Sequence, residues 1–76
     1  MNRARRARLR KIRGALELMK SDVEALEAEE VAAFDNLPGS LQLASSGQRT
    51  EECVDIMADL VSSINDALEL IDGTLV

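Results

Sequence analysis

Seven of the nine basic side chains fall within the first thirteen residues: Arg3, Arg5, Arg6, Arg8, Arg10, Lys11 and Arg13. No acid lies among them. The chemistry such a cluster can do is anion recognition, by charge and by guanidinium donors that match phosphate and carboxylate oxygens. On a helix, Arg3, Arg6, Arg10 and Arg13 share one stripe, with Arg5 and Arg8 beside it. Positive charge at a helix N-terminus opposes the helix dipole, so a negative partner is expected. Three sources fit: a phosphate-rich ligand such as nucleic acid or a nucleotide, an acidic protein surface, or the chain's own Asp66, Glu69 and Asp72. Phe34 is the sole aromatic and lies far from the arm, so base stacking is not expected. Nucleic-acid binding here would be led by the phosphate backbone and sensitive to salt.

No other residue set promises chemistry. The chain has no His and one cysteine, Cys53. General acid–base catalysis needs a group titrating near neutrality, most often His or a carboxylate in a dry pocket. Metal sites of the zinc type need Cys and His in sets. Asp22, Glu24, Glu27, Glu29 and Glu30 read as a solvated helix face, and no Gly-containing loop of alternating acids exists to hold calcium. Cys53 falls on an apolar seam, where its thiol is expected to be buried and inert. The expectation is a protein without catalytic residues, metal or cofactor.

The elements that carry these residues follow from periodicity. Leu9, Ile12, Leu16, Met19, Val23 and Leu26 recur at alternating steps of 3 and 4, and the same step reaches Glu30 and Ala33. This is a heptad seam, and it predicts a helix over about 3–35. Gly14 is a local cost of about 1 kcal/mol. Glu30 on the seam could set register or, near the end of the helix, reach solvent or the loop. The stretch 36–45 breaks the pattern, because Pro38 removes a backbone donor and pushes Leu37 out of helical geometry. Leu37, Leu41 and Leu43 make it an apolar loop expected to fold over the end of the helices, with a short helical turn allowed within it. A second helix is predicted over 46–72. Ser45 with Gln48 fits a capping box, and Gly73 fits a C-terminal cap. Its seam runs Cys53, Met57, Leu60, Ile64, Ala67 and Ile71, widened by Val54, Val61 and Leu68.

The fold expected for residues 1–76 is therefore one all-α domain: two long helices packed as an antiparallel hairpin. A chain of 76 residues has little core of its own. Dimerisation into a four-helix bundle is the favoured remedy, with a trimer or higher ring next. No apolar run approaches the roughly 20 residues that span a bilayer. The N-terminal stretch lacks the apolar region of a signal peptide, so a cytoplasmic, reducing setting is expected.

The run Glu30-x-x-x-Phe34-Asp35-Asn36-Leu37-Pro38-x-Ser40-Leu41-Gln42, followed by Ser46-Gly47-Gln48, resembles a family of small helical proteins encoded widely in bacteriophages and prophages. The likeness covers nearly the whole chain, and its specific part is the loop. Gly47-Gln48 stands where relatives tend to read Gly-Glu. The resemblance implies a bacterial host's cytoplasm and an accessory role: binding a macromolecular partner, a host defence component among them, without catalysis. It also makes Asp35, Asn36, Ser40 and Gln42 a candidate recognition surface, although the same residues suit helix capping and turns. Two other readings stay open: nucleic-acid or nucleotide binding by the basic arm, and a structural part in a phage assembly.

Overall fold

A computed structural model describes residues Met1–Val76. Two long helices, α1 (Arg3–Asp35) and α3 (Ser45–Leu75), flank a single short turn of helix, α2 (Gly39–Gln42). They lie side by side as an antiparallel hairpin measuring 58 × 15 × 13 Å. The radius of gyration is 17.3 Å, against about 11 Å for a compact domain of this length. The chain is therefore a rod with an open end, where both termini lie, and a closed end at the loop.

The 3,4 spacing without proline carries α1 across the range read from the sequence. Its start is fixed by Asn2, whose side chain accepts a hydrogen bond from the Arg5 amide at 2.8 Å, satisfying one of the free N–H groups of the first turn. Pro38 ends the run. The amide of Asn36 closes α1 onto the Ala32 carbonyl. Past Pro38, Gln42 returns its side-chain amide to the Phe34 carbonyl at 3.1 Å, so the loop is tied to the end of α1.

Which residues face inward differs from the sequence reading. In α1 the half-buried positions are Arg6, Leu9, Arg13, Leu16, Glu17, Lys20, Val23, Glu27, Glu30 and Phe34. In α3 they are Thr50, Val54, Met57, Val61, Ile64, Asn65, Ala67, Ile71 and Leu75, with Gly47 and Leu68 fully buried. The stripe that the sequence places beside the second seam, Val54, Val61 and Leu68, is thus one of its two inner columns. Ile12, Met19 and Leu26 are each more than half exposed, and Leu60 is 46% exposed. Cys53 is exposed, correcting the expectation of a buried thiol. The cause lies at the closed end: Phe34 turns inward beside Val54, and its heptad column of Glu27, Lys20 and Arg13 follows it in. Their aliphatic stems cover the seam while the charges stay at its edge.

Three local expectations are also corrected. Ala44, not Ser45, occupies the N-cap of α3 and makes no side-chain cap bond; Gln48 instead reaches the Leu43 carbonyl, at 3.5 Å. Gly73 does not end α3, which continues to Leu75 in ordinary helical geometry. The loop does not cap the bundle with leucines, since Leu43 is 81% and Leu41 46% exposed. Only Leu37 turns partly inward.

Candidate anion-binding end and apolar face

The basic arm lies along the open end, where α1 begins beside the end of α3. Arg3, Arg5, Arg8, Arg10 and Lys11 are exposed, and Arg6 and Arg13 are half-buried. Arg13 grips Asp72 with two donors, Nε to Oδ1 at 2.6 Å and Nη2 to Oδ2 at 3.2 Å. Its remaining Nη1 donates to Glu17 at 3.2 Å. The Asp72 hydrogen bond and charge raise the Arg13 pKa, and the Arg13 hydrogen bond lowers that of Asp72. This fork ties the C-terminal turn of α3 to α1.

Internal neutralisation stops there. No carboxylate lies within ion-pair distance of the other six basic residues, and neither Asp66 nor Glu69 pairs with the arm. Arg3, Arg6 and Arg10 line one shallow depression with Met1, about 640 Å³ in volume. The Nε of Arg6 is covered and has no acceptor. Arg5 and Arg8 line a different depression with Leu9 and Ile12. The arm thus has two sides, one in line with the Arg13–Asp72 fork and one continuous with the Ile12 column.

The candidate loop residues are not gathered into a site. Asp35, Asn36 and Ser40 are exposed, and Gln42 is spent on the Phe34 carbonyl. No group of His, Cys, Asp or Glu is arranged to hold a metal ion. No helix is long and apolar enough to cross a membrane.

An apolar face not anticipated from the sequence emerges from the rotation of the helices. Ile12, Met19 and Leu26 form an uncovered column on α1; Cys53 and Leu60 form one on α3, continued by the half-buried Ala67 and edged by Ile56 and Leu70. At about 100° per residue, each column lies about 80° counter-clockwise from its helix's inner seam, viewed from that helix's own N-terminus. The helices run antiparallel, so both columns fall on the same side of the hairpin. Arg13, Glu17 and Asp72 lie on the other side. Leu60, Ile56 and Leu70 are 46%, 66% and 73% exposed. The signal was present in the sequence as a third apolar column on α3, but only the rotation shows that this column and the Ile12 column of α1 fall on one side.

No family model matches the chain, and neither a curated protein nor a solved structure does.

Proposed function

We propose that this protein is a non-catalytic interaction module that self-associates through its apolar face and, as an assembly, binds a macromolecular partner. The uncovered face supports this reading most directly. A monomer of 8.3 kDa folded compactly exposes about 4,600 Å²; this chain exposes 5614 Å². The excess is close to the roughly 800 Å² that each partner buries in an ordinary specific interface. One residue side chain, Leu68, forms the fully buried apolar core, which leaves the isolated hairpin thinly stabilised. The resemblance of the Phe34–Gln42 loop to phage and prophage proteins supports an accessory role in a bacterial host, host defence components being one class of target. Light scattering tests the self-association: a single-chain mass at micromolar concentration would sink it. Affinity capture from a bacterial lysate tests the partner claim against a variant with Leu26 and Leu60 replaced by Gln.

A second reading rests on the six unpaired cations. Arg3, Arg6 and Arg10, which line one depression, suit a phosphate group of nucleic acid or a nucleotide. Fluorescence anisotropy with a labelled single-stranded oligonucleotide over a salt series is the test. Binding that weakens steeply with salt and is lost in the Arg3→Ala, Arg6→Ala, Arg10→Ala variant supports it; no binding at low salt removes it.

A further inference from the structure

We infer that the occupant of the apolar face is a second copy of the chain docked antiparallel, with the basic arm of each α1 lying over the acidic half of its partner's α1. The inference rests on the self-association reading and adds its geometry. The observation behind it is the charge layout of α1. Residues 3–13 carry seven basic side chains and no acid, while residues 21–35 carry six acids and no base. Along the rod, the acids Asp66, Glu69 and Asp72 of α3 reduce the open end to a net +4 and leave −9 for the remainder.

Two hairpins stacked face to face on these columns have two symmetric solutions. With the two-fold axis along the rod, both net-positive open ends meet and both acidic closed ends meet. With the axis across the rod, α1 lies antiparallel on the partner's α1, and each basic third meets an acidic third. Like charges brought together disfavour the first arrangement, and complementary ones favour the second. The α1 column admits the second, because Ile12, Met19 and Leu26 are evenly spaced about Met19 and so read alike in either direction. Arg5 and Arg8 sit on the same side as Ile12 and share a depression with it. Glu29 and Glu30 flank Leu26 on that side at the far end of the helix. Arg5 and Arg8 therefore meet the partner's acids, while Arg3, Arg6 and Arg10 on the opposite side remain free.

Orientation is read by pulsed electron–electron resonance on the full chain with Cys53→Ser and one spin label at Ser40→Cys, an exposed position off the face. Antiparallel docking places the labels at opposite ends, at a separation approaching the 58 Å length of the rod. Parallel docking places them within about 25 Å, two helix diameters; that result overturns the inference while leaving self-association intact. Light scattering on the same sample separates the two claims, since a single-chain mass overturns self-association itself. Charge supplies the second measurement. Arg5→Glu with Arg8→Glu should weaken the dimer by about tenfold or more, with helicity unchanged because neither side chain has a partner within the chain. Adding Glu29→Arg and Glu30→Arg to the same chain should restore it. Weakening without restoration would show that the two charge sets do not meet.

Discussion

Gly47 is the position at which one methyl group should cost most. It is the single fully buried residue of the hairpin connection, held where the first turn of α3 crosses the end of α2. A Cβ built there would overlap the Gln42 carbonyl oxygen and lie 2.5 Å from that of Leu41. Both obstacles are backbone, so no side chain can swing aside. The helix-propensity term alone favours Gly47→Ala by up to about 1 kcal/mol. Overpacking against fixed neighbours costs typically 1–3 kcal/mol. Here the atoms would have to part by well over half an ångström, so the upper half of that range applies, leaving a net loss of about 1–2 kcal/mol. Gly14 supplies the control. It is helical, exposed, and has nothing within 4 Å of the corresponding Cβ, so Gly14→Ala should stabilise by about 0.5–1 kcal/mol. Urea unfolding followed by circular dichroism, at one fixed chain concentration, reads both. Opposite signs are required. A Gly47→Ala variant as stable as Gly14→Ala would mean that α3 does not pack on α2 as described.

Further consequences concern the seam and its edges. Leu68→Ala should cost about 2–3 kcal/mol, the low end of the range for buried leucines because its surroundings open to solvent. Leu18→Ala, at a site 71% exposed on the outer surface of α1, should change urea stability by under about 0.5 kcal/mol; equal effects would contradict the seam. Asp72→Asn should lower Tm at neutral pH. Arg13 depresses the Asp72 carboxyl below its ordinary value of 3.8, so the pair's contribution is present above that value and is lost as pH falls through the depressed one. The Tm gap between wild type and variant should therefore close in acid; a gap independent of pH would contradict the fork. Cys53, being exposed, should react with a disulfide reagent in the folded chain nearly as fast as in urea when dilute. Self-association through the apolar face, as proposed, would slow the reaction at high concentration; protection at all dilutions would restore the buried-thiol expectation.

The helices were legible because two signals are local. A 3,4 recurrence without proline sets α1, and Pro38 stops it. Rotation about each helix axis was not legible. Alongside the column of Leu9, Leu16 and Val23, α1 offers two flanks: Ile12, Met19 and Leu26 on one side, and Arg13, Lys20 and Glu27 on the other. Apolarity alone chooses the first. The hairpin chooses the second, because Phe34 belongs to that column and docks at the connection, where the Gln42 bond to its carbonyl and the close fit of Gly47 fix the crossing. The preference of a single connection, acting at one end, decides the facing of a helix of 33 residues. Sequence periodicity reports which columns are apolar; it does not report which apolar column a loop will turn inward.

That choice links the two functional readings. Turning the Arg13 column inward makes the Arg13–Asp72 fork a structural tie and releases the Ile12 column to the surface. A core built from Ile12, Met19 and Leu26 would have hidden the apolar face and left Arg13 free on the outside. The same rotation divides the arm, setting Arg5 and Arg8 beside the apolar face and Arg3, Arg6 and Arg10 beside the fork. The two proposed activities, self-association and anion binding, would thereby draw on different arginines and be separable by substitution. Replacing Arg3, Arg6 and Arg10 should leave the oligomer mass unchanged, and replacing Arg5 and Arg8 should alter it first. If one substitution set abolished both properties equally while helicity held, the division of the arm into two sides would be wrong, and with it the assignment of the apolar face to the side opposite the fork.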